Sequence, residues 1–216
     1  MRLRTLPFCQ LLAMLFFANN CVLAQDDLPD YRKKNDNFLK VREKDIRADL
    51  ATFTIAGIVE RIGKKPLKDI PARNYSGSEL VFHEDNIRVV ITAGIFDPSK
   101  HRLDSVENYL VKIDKKPYFG NYGSVPRYTI SSVTLYLDKD TISVPQTALF
   151  DLYSPTFAYR DGSGIPKTFN AVYLSADKRT IYVYMLNKEN KGSYEVTWIF
   201  RDKQFLRRVV DSNILQ

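Results

Sequence analysis

The chain has 216 residues, 44% of them hydrophobic, and carries 32 Lys and Arg against 25 Asp and Glu for a formal net charge of +7. Its two cysteines, Cys9 and Cys21, both precede Gln25. Loss of the N-terminal segment therefore excludes a disulfide scaffold, a Cys-ligated metal and a cysteine nucleophile together. The basic excess is spread in pairs such as Lys64-Lys65, Lys115-Lys116 and Arg207-Arg208, the pattern of a solvated surface rather than of a nucleic-acid-binding tail.

Residues 1–24 read as a secretory signal. Arg2 and Arg4 supply the positive start, an apolar run spans Leu11 to Phe17, and Val22-Leu23-Ala24 forms a small-residue cleavage site. The run is too short for a bilayer, which needs roughly 20 apolar residues. The expectation is cleavage between Ala24 and Gln25 and export to the periplasm or beyond, with no transmembrane segment afterwards and no nucleic-acid partner. A minor alternative makes Cys21 the acylated first residue of an outer-membrane lipoprotein, although Asn20 stands where that processing wants a small side chain. Removing 24 of 216 residues leaves 192, and losing Arg2 and Arg4 leaves 30 basic residues against 25 acidic, a net +5. That length supports an ordinary apolar core, since a domain near 150 residues already buries about 70% of its surface.

Residues 25–50 form a polar leader. "QDDLPDYRKKNDN" has almost nothing to bury and is expected to be flexible. From Phe38 to Leu50, apolar positions recur among charges, which allows a short helix or an irregular segment. Residues 51–216 are expected to form a β-rich domain. Apolar or alternating runs there meet tight polar turns containing aspartate, in "LVFHEDNIRVVITAGIF", "YLVKIDKKPYF", "VTLYLDKDTISVP", "AVYLSADKRTIYVYML" and "VTWIFRDKQFLRRVV". Asp and Asn suit such turns because they bond nearby backbone and tolerate left-handed dihedrals, and their spacing between β-prone runs signals antiparallel hairpins. The predicted fold is all-β, an antiparallel β-sandwich or open barrel built from hairpins.

The strand patterns also sort inside from outside. "NIRVVITAGIF" aligns Ile87, Val89, Ile91, Ala93 and Ile95 on one face, with Gly94 marking a bulge or a close approach. "TIYVYML" is apolar on both faces and belongs in the middle of its sheet. Tyr194, Val196, Trp198 and Phe200 share a core-facing stripe, whereas the consecutive Arg207 and Arg208 must point to opposite faces. The stretches "SSVTLYLDKDTISVPQTALFDLYSP" and "KGSYEVTWIFRDKQFLRRVVD" resemble segments of exported bacterial proteins. That resemblance implies a bacterial exported β-protein and assigns no residue a role.

Catalytic and metal-binding signals are sparse. "HED" at 83–85 begins like a zinc-protease motif, but Ile87 occupies the position of the second histidine. His83 and His101 are the only imidazoles available to a metal or to a catalytic triad, and no G-x-S-x-G elbow occurs. "DGSG" and "LDKDT" read as turns rather than calcium loops. No metal ligand, cofactor or catalytic residue is assigned. The strongest binding feature is "KKPYFGNYGSVPRY", residues 115–128, where Tyr118, Phe119 and Tyr122 offer rigid contact area and Arg127 a charge. The reading is a non-enzymatic exported domain that binds or scaffolds a cell-envelope glycan or protein. The alternative is a secreted hydrolase, which requires a concave pocket holding His83 or His101 near a serine or carboxylate.

Overall fold

A computed structural model describes residues 36–54, 67–75, 77–188 and 192–212. The expected signal 1–24, both cysteines and the leader through residue 35 lie outside these. The described part of the leader carries helix α1 (Lys44–Leu50), preceded by one 3-10 turn at Phe38–Lys40. Ile46 and Leu50, four apart, fall on one side of α1 and are its buried residues.

Fourteen strands follow: β1 (Lys68–Ile70), β2 (Ala72–Tyr75), β3 (Glu79–Glu84), β4 (Ile87–Ile95), β5 (Leu103–Val106), β6 (Tyr109–Ile113), β7 (Tyr128–Leu137), β8 (Asp140–Ser143), β9 (Tyr159–Arg160), β10 (Pro166–Lys167), β11 (Ala171–Leu174), β12 (Thr180–Asn187), β13 (Tyr194–Arg201) and β14 (Gln204–Ser212). They build two five-stranded antiparallel sheets, ordered β1-β11-β12-β13-β14 and β2-β3-β4-β7-β8, with β5-β6 and β9-β10 as separate hairpins. Val183, Met185, Val196 and Trp198 of the first sheet meet Phe82, Val89, Ile91 and Val133 of the second in one buried core. The fold is an antiparallel β-sandwich with a short helix.

The hairpins at β3-β4, β7-β8, β11-β12 and β13-β14 occur where the aspartate turns place them. Asp85, Asp138 and the Asp202-Lys203 pair adopt positive φ, between 50° and 62°, and so supply the left-handed turn that matches strand twist. The stretch "YLVKIDKKPYF" behaves differently. Its β6 pairs backwards with β5, and after the Asp114-Lys115 turn the chain returns to β6 only through two isolated bridges, Ile113 to Lys116 and Leu110 to Gly123. Pro117 has no N–H with which to continue a ladder.

Strand β12 is central and buried on both sides, as its two apolar faces require. Its inward residues join the main core. Tyr182 and Tyr184 face outward with Ile199 and Val209, and are covered by Val41, Ile46 and Leu50 of the leader and by Phe53 just after it. The leader is fastened by charge as well: Arg207 bonds Glu43 and Arg201 bonds Asp45, each at 2.6 Å, and the Tyr182 hydroxyl donates to Asp49 at 2.7 Å. Asp36 and Asn37, expected to belong to a flexible stretch, are docked here; the Val210 amide donates to the Asp36 carbonyl at 2.7 Å.

One face assignment needs correction. Ile87, Val89 and Ile91 point into the core, but Ile95 is 83% exposed and Phe96 turns inward instead. The ladder between β4 and β7 explains why. Thr92 pairs with Ser132 and Ala93 with Ile130, which leaves Ser131 as an extra, bulged residue on β7. The bulge breaks the two-residue rhythm near Gly94, with the extra residue on the neighbouring strand.

Candidate functional site

The long connections of the sandwich gather at one end. The 115–128 loop, the segment 144–153 and the start of β7 surround an open cleft of about 350 Å³. This is within the size range of small-ligand sites, roughly 300–1,000 Å³. The loop lies beside it but is not the surface that its composition suggests. Tyr118 and Phe119 are 1% and 3% exposed, so their ring faces are not open to a ligand. Tyr118 staples the loop to itself: its hydroxyl donates to the Leu110 carbonyl at 3.1 Å and accepts from the Gly123 amide at 3.2 Å. Burial pushes this phenol up to about 12. Phe119 packs against Tyr194, while its amide donates to the Asp151 carbonyl and its carbonyl accepts from the Tyr153 amide.

Tyr122 is half-buried and stacks on Tyr118 at 6.4 Å between centroids. Arg127 is exposed and does not line the cleft. Of the four binding residues expected from the sequence, Tyr118 alone reaches the cleft wall, as support; His101, the histidine of the alternative reading, also lines it. Gly120 explains how tightly the loop is held. Its φ is +89°, and a Cβ there would lie 2.2 Å from the Tyr153 carbonyl oxygen.

Other residues equip the cleft. The His101 Nδ1 lies 2.7 Å from the Asp114 carboxylate, and the His101 ring stacks on Phe96 at 4.6 Å. The bond from His101, then that from the Arg102 amide, holds the Asp114 carboxyl below the usual range. Phe150 is 40% exposed, with the Lys116 ammonium 4.2 Å from its ring centroid. Gln146 donates to the Ser131 carbonyl at 3.1 Å. Tyr153 is 4% exposed and gripped edge-on by Phe96 and Tyr118. Its hydroxyl has no hydrogen-bond partner among the described residues. Burial, followed by the charges of Asp114 and Asp151, pushes that phenol upward and keeps it a donor. The bulge places Ser131 in the wall, but its Oγ bonds the Thr92 carbonyl at 3.1 Å and lies 2.8 Å from the Thr92 hydroxyl.

The floor is carried by the β13-β14 hairpin from the opposite sheet. The Tyr194 hydroxyl donates to the Tyr153 carbonyl at 3.0 Å, and the Trp198 indole donates to the Ala148 carbonyl at 3.2 Å. Arg208, paired with Trp198 in the ladder, grips Asp151 with two nitrogens, at 2.9 Å for the Nη2 arm, and holds Asp36 at 2.9 Å. Arg207 turns the other way to Glu43, as consecutive strand positions require. The hairpin with the core-facing stripe thus acts as a girder under the cleft.

His83 is exposed on β3, apart from this cleft. Among the described residues no group of three or more His, Cys, Asp or Glu is placed to hold a metal ion, and no helix is long and apolar enough to cross a membrane. A second hollow, about 500 Å³, opens where the hairpin turns meet. Its floor is core residues such as Leu135, Ile181 and Phe200. Most rim charges are paired, Lys203 with Asp138 and Asp140, and Arg179 with Asp202, while Lys178 also lines the hollow. Comparison with protein-family models, curated proteins and solved structures finds no match to this chain.

Proposed function

We propose that the chain is an exported, non-enzymatic binding domain that holds a component of the bacterial cell envelope, glycan or protein, in the cleft beside the 115–128 loop. One observation carries the reading: a buried tyrosine with an unspent hydroxyl, Tyr153, lines an open cleft that also presents the exposed ring of Phe150. Rigid aromatic surface beside fixed polar groups is what recognition uses. The signal pattern of residues 1–24 supports an envelope location.

The test is retention of the purified mature protein on a cell-envelope fraction. Phe150→Ala and Gln146→Ala alter exposed cleft residues and leave the core intact. Retention should fall in both, with unchanged melting temperature. Unchanged retention in the folded variants rejects the site.

A hydrolase is the second reading, favoured by one specific contact. The Asp114–His101 pair has the geometry of a base and its orienting carboxylate, and Nε2 of His101 has no partner among the described residues. The partner nucleophile is lacking, because Ser131 is engaged by Thr92. Labelling of Ser131 by an active-site serine reagent, abolished by His101→Ala, is the result this reading requires.

A further inference from the structure

We infer that the cleft takes a neutral saccharide unit, held by the unpaired Tyr153 hydroxyl and the carboxylate of Asp114 beside the exposed face of Phe150. This rests on the binding role proposed for the same cleft and narrows it to one ligand chemistry.

Charge comes first. Two carboxylates line the cleft, and each already has a cationic or imidazole partner: Asp114 has His101, and Asp151 has Arg208. The remaining charged wall residue is Lys116, lodged over Phe150. An anionic ligand placed at Tyr153 lies beside carboxylates already offset by His101 and Arg208, and finds no cation in the lining other than Lys116, which Phe150 already engages. A cationic ligand finds both carboxylates already matched and meets Lys116 at the wall. Neither sign is favoured, so the cleft suits an uncharged molecule.

Hydrogen-bonding capacity comes next. Tyr153 remains protonated and offers a donor with nothing to receive it. Asp114 is half-exposed and retains acceptor capacity beyond its bonds to His101 and the Arg102 amide. Donor and acceptor together match a polyol, whose every hydroxyl both gives and takes. An acyl chain or other apolar ligand would seal Tyr153 away from water unpaired, which costs the full desolvation of its hydroxyl.

Shape is the third element. The cleft's size matches one or two sugar rings. Phe150 is 40% exposed in the lining, with the Lys116 ammonium over its ring, and the apolar face of a sugar ring packs against its exposed carbons while its equatorial hydroxyls point to the polar groups. The Tyr153 ring cannot swing to follow a poorly fitting ligand, because Phe96 and Tyr118 clamp it at 5.3 and 5.7 Å. The donor is fixed before the ligand arrives, which limits the ordering cost of binding.

The experiment is a glycan array of neutral and acidic saccharides, probed with the mature protein and with Tyr153→Phe, which loses only the hydroxyl. Neutral saccharides should be retained in preference to acidic ones, and Tyr153→Phe should weaken them about tenfold, the equivalent of about 1.4 kcal/mol. Phe150→Ala, at an exposed position, provides a second variant whose folding is not in question and should also lose binding. Equal binding by Tyr153→Phe and wild type, or preference for acidic glycans, overturns the inference. Retention on the envelope fraction with an empty array overturns the saccharide alone and leaves the binding role standing. Loss of both removes the binding role as well.

Discussion

The two ends of this sandwich are built by different rules. At one end short turns join neighbouring strands, and positive-φ aspartates and lysines close them with ion pairs between adjacent turns, such as Arg179 with Asp202 at 2.7 Å. At the other end the connections are long and held by side chains arriving from the opposite sheet: Tyr194, Trp198 and Arg208 all reach the 148–153 segment. The first end is local, solvated and mostly matched in charge. The second is non-local and buried, and it leaves the Tyr153 hydroxyl without a partner among the described residues. The proposed binding cleft lies at the non-local end, where the buried Tyr153 lines open space.

The largest expected effect breaks the cleft end. Arg208→Leu strands Asp151, 3% exposed, without its cation, and removing one partner of a buried pair costs about 3–5 kcal/mol. Urea denaturation should show that loss, and adding Asp151→Asn to Arg208→Leu should recover part of it by removing the abandoned charge. A full loss unchanged in the double variant would mean that Arg208 acts through packing instead. Gly120→Ala is next. A Cβ forced against the Tyr153 carbonyl, on a left-handed backbone, should cost roughly 2 kcal/mol or more.

An intermediate effect depends on pH. Asp211 is pushed up to about 6, chiefly by burial and despite the Phe38 amide bonded to it. A carboxyl raised in the folded state binds more protons there than when unfolded, between its ordinary value of 3.8 and about 6. Stability from this group is therefore greatest at the acid side of that window and declines as pH rises through it. Asp211→Asn keeps an oxygen for the Phe38 amide, removes the buried charge, and should flatten the slope. At neutral pH it should gain on the order of 1–3 kcal/mol. A steeper slope in the variant would contradict the assignment. The smallest effect lies at the turn end: Lys203→Ala loses exposed ion pairs that salt already screens, and its denaturation midpoint should not move measurably.

The same contrast explains what could be read from the sequence. The aspartate turns were legible because a turn is a local event, and "RDKQ" specifies its own backbone. The stripe of Tyr194, Val196, Trp198 and Phe200 was legible because strand periodicity alone sorts it. The loop 115–128 misleads because aromatic content cannot distinguish a displayed ring from a clamped one. Tyr118 packs against Tyr153 and Phe119 against Tyr194, partners that no spacing brings near. Tyr153 itself stands in "FDLYSP" with no local mark of its role. Its environment is made by Phe96, Tyr118, Asp114 and Asp151, the last of them held by Arg208 from the opposite sheet. The covering of Tyr182 and Tyr184 was half legible: an outer apolar face demanded a lid, but the sequence does not say that the leader supplies it.

The most direct test compares the two ends in one experiment. Backbone amide NMR of the mature protein, titrated with a neutral oligosaccharide retained on the array, reads both hollows at once. The account predicts that signals of His101, Gln146, Phe150 and Tyr153 shift together while those of Lys178 and Lys203 stay fixed. Shifts confined to the turn end, around the 500 Å³ hollow, would contradict it.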